Sequence, residues 1–266
     1  RLIPIVLAIV AYQARISAAL ISVNRVIDEI NALNKDKEHD KGKNLFPISG
    51  DIFFNDLSFK YRNTEKYVLK NFNAVIERNK VTTIIGPSGV GKTTIIEILT
   101  RILSSYEGSV KINNTDINDI LLNDYRKHIS LLPQTSIIFD DTVSSNIKYG
   151  KSSVSDKEVE IAAKLANAHE FINELPNKYN TRLGERGNSL SGGQIQRIVL
   201  ARLLVSDAKI LILDEPTSSL DFLAANKILE ALNNIKKTNK YTLIIVSHSK
   251  DVINIGDKSI KLIKIK

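Results

Sequence analysis

The chain has 266 residues, 43% of them hydrophobic, which is enough for one substantial folded domain and too apolar for a disordered chain. Its formal net charge is +8, but the lysines are scattered and no Lys/Arg cluster interleaves with aromatics, so nucleic acid is not an expected partner. Cysteine is absent, which excludes disulfides, thiolate metal sites and cysteine nucleophiles.

The chain opens on Arg1 within an apolar run and contains no Met, so it reads as a piece whose upstream part is missing. The stretch Leu2 to Tyr12 is uncharged. As a helix it covers about 16 Å, against a bilayer core of about 30 Å. Three readings are open. One is a signal peptide, with Arg1 as the basic start and Ser17-Ala18-Ala19 near a cleavage point. The second is a buried core helix. The third is the cytoplasmic end of a longer membrane-spanning helix. The run passes without Pro or Gly into a stripe at Ile16, Leu20, Val23, Ile27, Ile30 and Leu33, with Arg15, Asn24, Arg25 and Asp28 off it. That continuity favours the third reading over residues 1–33. Asn34 to Asn44 is charged and without periodicity, so 34–48 reads as a linker and 49–266 as a soluble domain.

Strand patterns cover Ile52 to Tyr61 and Tyr67 to Ile76. Val81 to Ile85 is a short buried strand running into a glycine-rich loop, and Thr93 to Leu103 is a helix. Ser109 to Ile112 and Ile129 to Leu132 are further strands. Thr142 to Asp207 reads mostly as helix, with a capping box at Ser155 and Glu158. Ile210 to Leu213 and Thr242 to Val246 are unbroken apolar runs, the pattern of parallel strands covered on both faces. Asp221 to Ile235 is a helix. Ile260 to Ile265 is a final strand, guarded against edge pairing by Lys261, Lys264 and Lys266.

The loop Gly86-Pro87-Ser88-Gly89-Val90-Gly91-Lys92-Thr93 meets the pattern G-x-x-x-x-G-K-[ST]. Glycines let such a loop turn its N–H groups onto phosphate oxygens, and the helix that follows adds its positive end. Residues Gly86 to Thr94 are expected to hold the phosphates. Lys92 reaches the β- and γ-phosphates, and the Thr93 hydroxyl ligates Mg²⁺. Asp214, at the tip of an apolar strand, is expected to hold the same ion, and Glu215 to polarise an attacking water. Gln134 follows Pro133 at another strand end, where it is either a third Mg²⁺ ligand or a solvated amide. His248 ends the run Thr242 to Ser247 and is either a structural histidine or a γ-phosphate contact. The catalytic set is thus Glu215, His248 and Lys92.

Ser191-Gly192-Gly193-Gln194 starts a helix and makes a second anion cradle. One nucleotide does not need two. A head-to-tail dimer resolves this: the second cradle closes on the nucleotide held by the partner copy.

The segment Leu190 to Asp221, LSGGQIQRIVLARLLVSDAKILILDEPTSSLD, resembles the ATP-binding cassette (ABC) family, and the resemblance covers about Ser49 to Lys266. It implies a P-loop NTPase fold of class α/β: a RecA-like mixed-sheet core, an antiparallel β subdomain and a helical signature subdomain. ATP and Mg²⁺ are the implied substrate and cofactor. By the same resemblance Tyr61 stacks on adenine, Asp221 is the D-loop residue joining two sites, and His248 is the switch histidine. Phe139 to Ile147 and Thr181 to Gly187 are similar to exporter segments, with Glu185 facing the coupling helices of transmembrane domains. Tyr12 to Ile27 is similar to the end of the last transmembrane helix of such exporters. The implied assembly is a homodimer in the cell membrane, in contact with lipid and with its ATP-binding domains in the cytoplasm. One departure lies after the D-loop, where Phe222-Leu223-Ala224 replaces the Thr-Glu pair many exporters carry. Soluble ATPases of DNA repair, chromosome organisation or translation are the first alternative, but the interval from Gln134 to Leu190 holds no coiled-coil insertion. An importer subunit would lack the apolar N-terminus, and a non-hydrolysing regulator would not keep Glu215 and His248.

Overall fold

The structure, a computed structural model, describes residues 2–35, 40, 42–46, 50–62, 64–151, 153–184, 187 and 189–264, with the backbone alone for 31–35. The chain divides into two compact units, Arg1–Asp40 and Lys41–Lys266.

The first unit is one helix, α1 (Ile3–Lys35), unbroken over 33 residues. Pro4 sits in its first turn, where a missing N–H costs nothing. The apolar run and the stripe that follows it merge, so Ile3–Ile30 forms a 28-residue stretch long and apolar enough to cross a bilayer. Its large apolar side chains are about half exposed or more from Leu2 through Ile30.

The second unit holds two sheets. β1 (Ile52–Phe59), β2 (Leu69–Ile76), β4 (Glu107–Ile112) and β5 (Thr115–Asp116) form an antiparallel sheet in the order β2-β1-β4-β5. β3 (Val81–Ile85), β6 (Ile129–Leu132), β7 (Ile210–Asp214), β8 (Thr242–Val246) and β9 (Lys258–Lys261) form a parallel sheet in the order β6-β7-β8-β3-β9. The antiparallel subdomain that the resemblance implies is thus a sheet of its own, and the described core strands pair in parallel.

The unbroken apolar runs have a direct cause. Alternate side chains of one strand enter different cores. Leu211, Leu213, Leu243 and Ile245 pack with α4 (Val143–Lys148), α5 (Asp156–Leu165), α6 (His169–Glu174), α7 (Gly192–Val205) and α8 (Phe222–Lys237). Ile210, Ile212, Ile244 and Val246 pack with α2 (Lys92–Leu99) and the antiparallel sheet. Two short helices, α3 (Leu122–Lys127) and α9 (Lys250–Ile255), and two 3-10 turns at Ile117–Asp119 and Lys178–Asn180 are also present.

Several element ends differ from expectation by one or two residues, and two differ with a visible cause. α2 stops at Leu99 because Arg101 takes a left-handed φ of 55°, and the N–H groups of Ile102 and Leu103 fold back onto the Glu97 carbonyl. The last strand is Lys258–Lys261, earlier than the alternation at Ile260 to Ile265 implied. It pairs with β3 from Thr82↔Lys258 to Ile85↔Lys261, and β3 ends there because Gly86 begins the loop.

Candidate active site

In a parallel sheet every strand delivers its carboxyl end to the same edge, and ligands of such sheets sit there. β3, β8, β7 and β6 are consecutive neighbours, with Ile84 paired to Val246, Val246 to Asp214, and Leu213 to Leu132. The residues just past those positions are the loop at Gly86, His248, Glu215 and Gln134. Four separate sequence motifs therefore converge on one edge.

The Gly86 loop enters α2 through Gly91, whose φ of 102° few other residues adopt. A Cβ there would also lie 2.9 Å from Val68 Cγ1. Pro87, Ser88, Gly89 and Thr93 are exposed, while Val90 is buried and pins the loop to the core. Lys92 Nζ donates to the carbonyls of Gly86 at 2.7 Å and Pro87 at 3.0 Å, so the ammonium lies over the turn of the loop. Thr94 is buried, and its Oγ1 lies 3.1 Å from the Tyr61 hydroxyl. That hydroxyl also donates to Glu97 Oε2 at 3.2 Å, and the Tyr61 ring stands edge-on to Phe59 at 5.0 Å. Tyr61 is therefore fastened beside α2 with 41% of its surface exposed. Glu97, which positions it, was not legible as a site residue; it is an ordinary helix carboxylate in the sequence.

Asp214 and Glu215 are consecutive but differently held. Asp214 ends β7 in register with Val246. Burial pushes its carboxyl above the usual carboxylate range, Glu215 adds to the rise, and the Lys92 ammonium opposes it. Glu215 takes a left-handed φ of 48°. Its N–H donates to the Val246 carbonyl at 2.9 Å, and its own carbonyl accepts from the Ser218 N–H and hydroxyl. This turn swings the Glu215 side chain toward β8, where His248 Nδ1 lies 2.9 Å from the carboxylate. The Glu215 side chain is only 13% exposed, and that of His248 is 68% exposed. Nothing in the sequence announced the left-handed backbone at Glu215.

The donor set suits a divalent cation shared with a ligand. The Asp214 carboxylate is disfavoured by burial and by its acidic neighbour, a strain that a cation relieves, and Thr93 and Gln134 offer neutral oxygens at the same edge. Among the described residues no three His, Cys, Asp or Glu side chains gather into a metal site.

The second cradle is held by contacts of its own. Ser191 caps α7: its Oγ accepts from the Gln194 N–H at 3.3 Å, and Gln194 Oε1 accepts from the Ser191 N–H at 2.9 Å. Gly193 is buried against α8, where an added Cβ would lie 2.6 Å from Ala224 Cβ, and Gly192 faces Leu220. Asp221 caps α8 through Oδ1, which accepts from the Ala224 N–H at 2.9 Å. No hydrogen bond among the described residues joins 191–194 to 86–94. Glu185 lies outside the described residues.

Fold and edge together define a P-loop nucleotide-binding domain. The family described as ABC transporter matches residues 69–218, more than half of the chain. The chain is 40% identical over 242 residues to an ATP-dependent lipid A-core flippase of Desulfotalea psychrophila, covering 91% of this chain and 42% of that protein. It is 39% identical over 216 residues to human ATP-binding cassette sub-family B member 5, covering 81% of this chain and 17% of that protein. A solved bacterial Atm1-family ABC exporter with ATP bound aligns with a TM-score of 0.77 at 32% identity, covering 85% of this chain and 40% of that one. The chain belongs to the ABC transporter family and carries its ATP-binding domain. It spans less than half the length of these relatives.

Proposed function

We propose that this chain is the ATP-hydrolysing part of an ABC exporter, which works as a pair of cassettes attached to transmembrane domains in the cell membrane. The observation that carries this reading is the pairing of Glu215 with His248 at 2.9 Å, on the sheet edge that also presents Lys92, Asp214 and Gln134. A base for water and a contact for the terminal phosphate are then neighbours.

Each residue has a definite task. Gly86 to Thr94 receive the ATP phosphates with backbone N–H groups, and Lys92 leaves its carbonyl partners for phosphate oxygens. Tyr61 faces the adenine. Thr93, Asp214 and Gln134 would hold Mg²⁺, which supplies charge neutralisation on the phosphates when bound. Glu215, held by its backbone against β8, orients the attacking water and accepts its proton. His248 steadies both Glu215 and the phosphate being transferred. Ser191, Gly192, Gly193 and Gln194 of a second copy close the site, and Asp221 lies between the two sites. ATP contributes dimer contacts, and loss of its terminal phosphate removes them. Residues 1–33 form the end of the last transmembrane helix and its cytosolic extension, 34–48 the linker and 49–266 the cassette, which faces the cytoplasm. Membrane lipid surrounds α1, and Glu185 meets the coupling helices.

Size-exclusion chromatography of the 266-residue chain in detergent, carrying Glu215→Gln, tests this reading. A shift to dimer with Mg-ATP that disappears in Ser191→Arg is expected. A chain that binds ATP yet stays monomeric, and whose unsubstituted form hydrolyses none, overturns it.

A further inference from the structure

The loop that carries Gln134 is tied to the second cradle's helix through the last turn of that helix. Arg202 lies in the last turn of α7, and its guanidinium donates three hydrogen bonds in three directions. Nε donates to the Asn146 carbonyl at 2.7 Å, one terminal nitrogen to the Ile137 carbonyl at 3.0 Å, and the other to Asn146 Oδ1 at 3.1 Å. Asn146 is 1% exposed and binds the same loop from inside. Its Oδ1 accepts from the Phe139 N–H at 2.9 Å, and its Nδ2 donates to the carbonyls of Phe139 and Thr142, both at 3.0 Å. The rings of Phe139 and Tyr149 stack at 4.2 Å, and the guanidinium lies 5.4 Å and 5.5 Å from their centres.

These partners are carbonyl and amide oxygens and ring faces, with no carboxylate among the described ones. A cation kept for its charge finds a carboxylate. One kept for its shape finds a set of oxygens that only a planar fork reaches together. The shape here matters for where it holds the chain. β6 ends at Leu132 and the first clamped carbonyl belongs to Ile137, so Gln134 lies on a short span between a rigid sheet and the clamp.

We infer that Arg202 and Asn146 form a clamp fastening the Gln134 loop to α7, which makes Arg202 a positioning residue for Gln134 in the hydrolysis proposed above. A movement of α7 when its Ser191 end closes on a nucleotide then carries Ile137 with it and resets Gln134. The two cradles communicate through this contact, and the inference rests on the function proposed above.

The test uses the 266-residue chain in detergent with Arg202→Lys, Asn146→Ala, Gln134→Ala and the double variant Arg202→Lys/Gln134→Ala. Hydrogen exchange at the Phe139 amide is expected to rise about tenfold or more in Arg202→Lys, with α7 amides unchanged. Turnover is expected to fall about tenfold in Arg202→Lys, with ATP affinity within about twofold, because misplacement of a positioned group acts on the chemical step. In the Gln134→Ala background Arg202→Lys should cost no further turnover. Additive losses, or equal loss of affinity and turnover, overturn the role. Asn146→Ala carries the same test if Arg202→Lys does not fold, and failure of both to fold assigns the pair to folding alone and overturns it. An unsubstituted chain without turnover overturns the proposed function and this role together. Normal turnover with additive losses overturns this role alone.

Discussion

The two glycine-bearing cradles begin their helices in opposite ways. α2 starts at Gly91, whose left-handed backbone contributes no side-chain cap, so the first-turn N–H groups are directed at whatever enters the Gly86 loop. α7 starts at Ser191 with a closed capping box, in which Ser191 and Gln194 already satisfy each other's N–H groups. The first leaves its N–H groups without a side-chain cap. The second is capped within its own chain. Packing follows the same division. The α2 loop meets Val68 and Leu69 at the start of β2, whereas the α7 glycine meets Ala224 of α8.

Glu215→Gln acts on the edge that carries the first cradle and should have the largest effect. Turnover is expected to drop by about 10² to 10⁴, the usual worth of a general base, while ATP binding measured by fluorescence titration persists. Equal loss of binding would make Glu215 a contact for the bound nucleotide instead of the base. Alanine at each glycine sharpens the contrast further. Gly91→Ala puts a Cβ on a φ of 102° and 2.9 Å from Val68, so about 1–3 kcal/mol of stability and most ATP affinity should go together. Gly193→Ala crowds Ala224 at 2.6 Å and should cost about 1–3 kcal/mol in urea unfolding, with the affinity of the isolated chain for ATP unchanged. Ser191→Ala opens the capping box and should cost about 1 kcal/mol, again without altering that affinity.

The smallest effects are in pH dependence. The Asp214 carboxyl is raised in the folded chain, so its ionised form costs stability, and acidifying from neutrality through the raised value relieves that cost. Asp214→Asn should therefore raise the Tm of the nucleotide-free chain near pH 7 and flatten this limb. Asp257 runs the other way. Burial raises its carboxyl, but hydrogen bonds from Lys236 at 2.7 Å and the Val81 N–H at 2.8 Å outweigh burial and lower it. Its contribution is present above the unfolded value of about 3.9 and is lost as pH falls through the folded one. Asp257→Asn should thus lower Tm at neutral pH and lose the difference in acid.

The parallel sheet was the most legible part of the fold. β3, β6 and β8 lie at the bounds the sequence implied, and β3 and β8 are buried along nearly their whole length. The capping box at Ser155 and Glu158 also formed as its spacing implied. Elements set by pairing instead of composition were not legible. β5 is two residues long, and α3 and α9 are six each, too short for a period to show. The end of β9 depends on where β3 runs out. Within the site, residue types and their order were readable from motifs. The left-handed turn at Glu215, the fastening of Tyr61 by Glu97, and the hold of Asn146 on its loop arise from tertiary contacts between distant segments.

The strand that carries the phosphate loop has a late partner on each side. β3 is residues 81–85, yet its neighbours in the sheet are β8 at 242–246 and β9 at 258–261. During synthesis the Gly86 loop therefore emerges long before the strands that anchor it, and residues 81–85 have two open edges in the meantime. The antiparallel sheet, whose strands all lie within 52–116, can assemble first. A nascent chain thus gains the wall that holds Tyr61 early, and its grip on phosphate only when nearly the whole of this sequence has been made.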